Sequence, residues 1–384
     1  MLYFDNAATS GFKPASVVKA VSTALEKYSA NPGRSGHILS VNTAEKIFKC
    51  REKIADFFGY SHPENVIFTL NCTHSINSVV KGVVKRGDHI IISDLEHNSV
   101  LRPLENLKRK GIITFDTAHV SLEDNDITVQ NFKDCIKKET SMIICTHASN
   151  VTGRILPIKE IGMLCKEHGI LFAVDAAQSA GVLDINMTHQ CIDYLCVAPH
   201  KGLFAPMGIG VLIADKHIEN VLIEGGTGSV STSPVQPAFL PDRLESGTIN
   251  VPGIFGVCAG VDFVKSKGVS TIYNHELHLL QNLYSGLEAN KNIELYTPFP
   301  KYGEYAPVLS FNFKGAESNT VASALNDYKI AVRGGFHCAP LAHNAIKTSQ
   351  CGTVRISLGV FNNNKNINYL LNVLKNENFV KKIR

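Results

Sequence analysis

A mixed α/β fold with a mostly parallel sheet and helices on both faces is predicted by three observations. Short β-rich apolar runs recur through the first two thirds of the chain, helical patterns lie between them, and the pattern changes after Gly253. The runs fall at 66–70, 89–93, 112–115, 142–145, 170–174, 194–198 and 209–213. They are nearly continuous in Val, Ile, Leu and Phe, as strands covered on both faces must be. Helical patterns at 75–84, 100–110, 130–138 and 158–168 supply the crossovers that parallel strands need. Ligands of such sheets collect at the carboxyl ends of the strands. The stretch 222–241 breaks into Gly, Ser, Thr and Pro and reads as a long loop, a length often tied to function. A long helical region then runs to about 289, followed by a strand at 308–313, a helix at 320–328 and a strand at 353–358. This reads as a second, smaller α+β domain. The Asn-rich 361–368 reads as a helix N-terminal turn.

Composition narrows the function. Among 384 residues, 44% are hydrophobic and 19% charged, enough for a large core. Net charge is 38 − 34 = +4, too small for the basic field that nucleic-acid binding needs. The start, Met1-Leu2-Tyr3-Phe4-Asp5-Asn6, reads as no secretory signal, and the most apolar later stretch, 205–214, is far short of the roughly 20 residues of a membrane helix. A cytoplasmic, reducing location is therefore expected, with no membrane partner and with thiols kept reduced. The ten cysteines show no Cys-x-x-Cys spacing, so no metal site is expected, and most are expected to be small buried hydrophobes. Gly82-Val-Val-Lys-Arg-Gly87-Asp88 starts like a phosphate loop but carries Asp88 where Lys is required. Gly208-Ile-Gly210 lacks the third glycine of a dinucleotide fingerprint.

Four segments carry candidate chemistry, each with an ordinary reading beside it. In Leu171-Phe172-Ala173-Val174-Asp175-Ala176-Ala177-Gln178 a buried strand delivers a carboxylate, which needs a partner. A protonated pyridine nitrogen would be one, and a helix N-cap is the plainer use. Ala198-Pro199-His200-Lys201-Gly202 puts a lysine past a strand end, as a Schiff-base former or a solvated loop residue. Thr69-Leu70-Asn71-Cys72-Thr73-His74-Ser75 is a strand-to-helix turn, as a phosphate site or a simple Thr or Ser cap. Arg333-Gly334-Gly335-Phe336-His337-Cys338-Ala339-Pro340 sets a thiol near Arg and His, as an activated nucleophile or an incidental cysteine.

In order and spacing these segments resemble the class V aminotransferase family of pyridoxal-phosphate (PLP) enzymes. Further matching blocks are Tyr3–Thr9, Arg34–His37, Leu95–Ser99, Ser149–Gly153, Glu245–Asn250 and Val354–Leu358, so the resemblance covers nearly the whole chain. Within the family the chain is similar to the group II (SufS-like) cysteine desulfurases and selenocysteine lyases, mainly through the Arg-Gly-Gly-Phe-His-Cys-Ala loop. The resemblance implies the PLP-dependent transferase fold type I, with a large domain over 15–253 and a small one from 1–14 and 254–384 carrying Cys338 and Arg355. It implies pyridoxal 5′-phosphate held covalently by Lys201, with Asp175 on the pyridine nitrogen, Gln178 on the ring hydroxyl, and His97 on the ring face as an acid/base. Cys72, Thr73 and His200 would hold the phosphate, with Thr248 reaching that of the neighbouring subunit in a homodimer. Arg355 would bind the substrate carboxylate, assisted by Asn150, with Arg34 at the entrance.

The implied reaction converts L-cysteine to L-alanine and leaves a persulfide on Cys338 for a sulfur-acceptor protein, as in iron–sulfur cluster assembly. The alternative is a selenocysteine lyase, or another class V lyase or aminotransferase without a persulfide step. The chain departs from the family at Cys72 (often Thr), Ala198-Pro199 (usually Ser-Gly) and Phe336 (usually His). The last departure leaves His337 and Arg333 to activate Cys338.

Overall fold

The computed structural model describes residues 1–33 and 36–384. Among the described residues, seven strands form the main sheet in the order Val66–Thr69, Gly210–Ala214, Tyr194–Val197, Leu171–Asp175, Thr140–Thr146, His89–Ser93 and Thr114–Ala118. Only Gly210–Ala214 runs antiparallel to its neighbours. The interior strands are buried on both faces, as their unbroken apolar runs require. The edge strand Thr114–Ala118 is half exposed and less apolar. It starts two residues after the apolar run because Ile112 is used in the preceding turn, where its carbonyl accepts from the Gly87 amide. Helix Ile158–His168 matches its sequence pattern and stops at Gly169 in the left-handed conformation, φ 66°.

A four-stranded antiparallel sheet, ordered Arg333–Gly335, Thr353–Ser357, Val308–Phe313 and Ile293–Leu295, forms the second unit. The helical stretch after Gly253 is two helices, Val251–Lys267 and Val269–Glu288, divided at Gly268 with φ 83°. The first packs with Ala15–Lys27 and Ile38–Phe57 into the core of the main sheet, and the second packs with the small sheet. Between residues 215 and 250 the chain forms neither helix nor strand. Asn363 opens helix Asn364–Lys375 with a capping box to Asn366. The start of the chain crosses to the second unit, where Leu2–Tyr3 pairs in parallel with Ile330–Ala331 and Asp5 bridges Ser357.

The cysteines divide more finely than their composition suggests. Cys50, Cys72, Cys145, Cys165 and Cys196 are buried, Cys135, Cys191 and Cys258 are partly exposed, and Cys338 and Cys351 are exposed. Half of them therefore reach solvent to some degree, where mostly buried thiols were expected. No described helix is long and apolar enough to cross a membrane.

Candidate active site

A cavity of about 240 Å³ opens at the carboxyl ends of the main strands, against the small sheet. Its lining brings together Cys72, Thr73, His97, Asn150, Asp175, Gln178, His200, Lys201 and Arg355. Arg333, His337 and residues 7–8 close its remaining sides.

Asp175 ends strand Leu171–Asp175 with a side chain only 3% exposed. Its Oδ1 accepts from the Ala177 amide at 2.9 Å, and the Cys72 thiol donates to it across 3.6 Å. Asp175 therefore turns the chain locally and caps no helix. The next polar residue, Gln178, donates through Nε2 to the Ala7 carbonyl at 3.0 Å. Lys201 follows strand Tyr194–Val197 through a tight turn, its amide bonded to the Ala198 carbonyl. Burial pushes its ammonium down, with Asp175 opposing. A more readily deprotonated amine is what a nucleophilic or base lysine needs. His200 is pushed down to about 4 by burial, and its Nδ1 lies 3.0 Å from the Thr9 hydroxyl.

Helix Cys72–Val83 starts at the cavity wall with Asn71 as its N-cap, accepting from the His74 amide at 2.9 Å. The cap is Asn, so Cys72 and Thr73 occupy the first turn, where amides lack helical partners. His97 caps the next crossover helix, Asn98–Arg109, with Nδ1 accepting from the Ser99 amide at 3.0 Å. That bond leaves the ring proton on Nε2. Burial also lowers the His97 pKa, keeping the ring neutral. Behind it Glu96 is fully buried and pushed up to about 8 by burial, its Oε1 accepting from the Ser93 hydroxyl and the Thr146 amide.

Arg355 is 1% exposed. Its Nη2 meets Asp5 Oδ1 at 2.7 Å, its Nη1 donates to the Asn150 carbonyl at 3.1 Å, and its Nε has no partner. A buried guanidinium with an unfilled donor suits a second carboxylate. Asn150 also donates to the His337 carbonyl at 2.7 Å.

Cys338 is exposed and does not line the cavity. His337 and Cys338 both take positive φ, 50° and 58°, turning the loop sharply at the rim. The Cys338 carbonyl accepts from the Asn98 amide at 2.8 Å, next to His97. Arg333 Nη2 lies 3.8 Å from the Cys338 sulfur. The His337 ring turns inward, its Nε2 3.0 Å from the Thr353 carbonyl, and burial pushes its pKa down to about 2. The expectation that His337 activates Cys338 is thus corrected, and Arg333 alone of the two stands beside the thiol. Thr248 is exposed and outside the lining. Arg34 lies outside the described residues.

Sequence reasoning did not single out Asp5, Thr9, Ser99 or Glu96 as partners of site residues. Their signal was present only as positions inside the matching blocks around residues 3–9 and 95–99.

With this geometry in hand, the comparisons assign the class. The class-V aminotransferase family model matches residues 2–370, and the chain belongs to that family. A probable cysteine desulfurase of Pyrococcus abyssi is 34% identical over 100% of this chain and 95% of the relative. Another, from Synechocystis, is 31% identical over 98% of this chain and 90% of the relative. Among solved structures, the apo cysteine desulfurase of Thermococcus onnurineus superposes with TM-score 0.90 at 34% identity, covering 99% of this chain and 94% of that one. The S-sulfonic acid form of an Escherichia coli cysteine desulfurase shares the fold, with TM-score 0.87 at 24% identity and coverage of 100% and 95%.

Proposed function

We propose that this protein is a PLP-dependent cysteine desulfurase, converting L-cysteine to L-alanine with a persulfide on Cys338. The observation that carries the reading is one cavity that gathers Lys201, Asp175, Gln178, His97 and Arg355 under a loop bearing an exposed thiol. The donor set fits pyridoxal 5′-phosphate. Asp175 is a buried carboxylate for a pyridine N–H, and the first turn of helix Cys72–Val83 and His200 suit a phosphate. Lys201 would hold the cofactor covalently, Gln178 would meet its ring hydroxyl, and His97 would cover its face. Thr248 would complete the phosphate site of a second copy, with Arg34 at its entrance. When bound, the cofactor supplies an electron sink for negative charge at the substrate Cα.

The chain's own residues would do the rest. Arg355 would take the substrate carboxylate through its fork, supported by Asn150 and by Asp5. Lys201, as a free amine, would remove the Cα proton and return it. His97, neutral with its proton on Nε2, could donate within the cavity. The Cys338 thiolate, with Arg333 beside it, would attack the substrate sulfur. The Cβ–S bond breaks, alanine leaves, and the persulfide stays at the rim for an acceptor protein. Helix Val251–Lys267 packs into the core of the main sheet, which corrects the expected boundary at 253, and we propose a large unit of 15–267 and a small unit of 1–14 with 269–384.

The test measures alanine and sulfide release from cysteine with a reductant, for the parent and Cys338→Ser. Sulfide release should vanish in the variant while the visible cofactor absorbance stays. Lys201→Ala should lose that absorbance. Parent-rate sulfide release by Cys338→Ser would remove the persulfide step, and selenide release from selenocysteine by that variant would favour the lyase alternative.

A further inference from the structure

Helix Val269–Glu288 buries Ile272, Leu279, Leu280, Leu283 and Leu287 on one face, and Glu276 sits within that apolar stripe. Glu276 is only 2% exposed, and its Oε2 has no partner. A leucine would complete the stripe, so an unsatisfied carboxyl at this position calls for a role. Glu276 lines a second cavity of about 40 Å³, together with Lys201, Gln178, Asn6, Ser10 and Ser357. Lys201, Gln178 and Ala7 also line the active-site cavity, so the two spaces share a wall. The smaller one has room for roughly two or three waters, and its polar lining offers them partners. Burial pushes the Glu276 carboxyl up to about 8, which makes it a carboxylic acid at neutral pH. Lys201 is the titratable group across the cavity from it, and Lys13 reaches the cavity wall by donating to Ser10 Oγ at 2.6 Å. On its own helix, the Tyr273 hydroxyl donates to the Tyr305 carbonyl at 3.0 Å, and His275 Nε2 lies 3.0 Å from the Asn362 carbonyl. Helices Val251–Lys267 and Asn364–Lys375, packed on the same helix, bury only uncharged residues. Strand Ile293–Leu295 leaves Glu294 exposed, and strands Val308–Phe313 and Thr353–Ser357 give the cavity Val308 and Ser357.

We propose that Glu276 is a positioning residue for proton exchange at Lys201, acting through water held in the small cavity. The inference rests on the reading that Lys201 takes the substrate Cα proton. As an ammonium, Lys201 carries that hydrogen beside two others. A cavity water takes a hydrogen from the nitrogen and gives one of its own to Glu276, whose acid hydrogen returns to the nitrogen through a second water. One N–H bond breaks and one forms, the charges are unchanged, and the hydrogen that came from Cα has left the lysine. Lys201 then returns a different hydrogen from the one it took.

The test follows the Cα hydrogen of L-alanine in deuterium oxide with the holoenzyme, by proton NMR, beside alanine release from L-cysteine. The parent should exchange that hydrogen for deuterium. Glu276→Gln keeps the shape but cannot pass a proton on, and it should slow the exchange by at least about tenfold. Cysteine turnover should fall by less than about twofold, because Lys201 still takes and returns the proton. Glu276→Met fills a similar volume without a transferable hydrogen and should give the same split if the Gln variant folds poorly. A loss of exchange that runs in step with the loss of turnover would mark a structural part only and overturn the proposal. Parent-rate exchange in both variants, or none in the parent, would overturn it as well. Glu276-dependent exchange without alanine release from cysteine would support the inference and remove the desulfurase reading.

Discussion

Arg355 is fully buried yet satisfied on only two of its three nitrogens. Asp5 neutralises part of its charge, and the unfilled Nε gives an incoming carboxylate a place to bind. A lysine there would keep the charge and lose the fork. Arg355→Lys should lower kcat/KM for cysteine by about 10- to 100-fold, or about 1.4–2.7 kcal/mol, chiefly through KM. Steady-state kinetics checks it, and a fall confined to kcat would contradict the binding role. The sequence carried this residue through a family block, but it did not carry Asp5 as its partner. Residues 350 positions apart in sequence leave no local pattern when they pair. His337 shows the opposite limit: adjacency to Cys338 suggested a base, and the left-handed backbone turned the ring away. Sequence neighbours share a side only when the backbone is regular.

Glu96 joins two strand ends, because its one carboxyl oxygen accepts from Ser93 after strand His89–Ser93 begins to turn and from Thr146 at the end of Thr140–Thr146. Burial holds its folded pKa at about 8, above the unfolded value near 4.5. Its contribution is fully present below the unfolded value and is lost as pH rises through about 8. Glu96→Gln keeps the acceptor and cannot ionise. Its stability relative to the parent should rise with pH between about 5 and 8, by about 1.4 kcal/mol per unit. Urea melts across that range check it, and a pH-independent difference would refute a neutral Glu96. Glu96→Ala should be destabilised at every pH. At the other end of the chain, Asn363→Ala removes a capping box and should cost about 1 kcal/mol in the same melts. The interior strands were legible because burial on both faces forces continuous apolar runs. Helices Ala15–Lys27 and Ile38–Phe57 were not, since exposed Val18, Leu25, Ile38, Leu39, Val41 and Phe48 blur the apolar stripe. The break at Gly268 was also hidden, because the flanking helices share one long apolar pattern.

Over the whole molecule, buried neutral histidines set the acid limit. Burial pushes His147 down to about 3 and His337 to about 2, both far below the unfolded value near 6.5. Their contribution is present above 6.5 and is lost as pH falls toward the folded values, because the unfolded chain binds the protons first. His147→Gln should therefore flatten the loss of stability between pH 6.5 and 4 by about 1.4 kcal/mol per unit. Thermal melts against pH test this, and parallel curves for variant and parent would refute it. The first fourteen residues have a wider consequence. Tyr3 and Asp5 bind the second unit, the Ala7 carbonyl holds Gln178, and Ser10 and Lys13 hold the His200 carbonyl. During synthesis Asp5 is made 350 residues before its partner Arg355. Ala7, Ser10 and Lys13 find their partners by residue 200, but Asp5 must wait for Arg355, so a nascent chain stalled before position 355 would hold a folded main sheet without the Asp5–Arg355 pair.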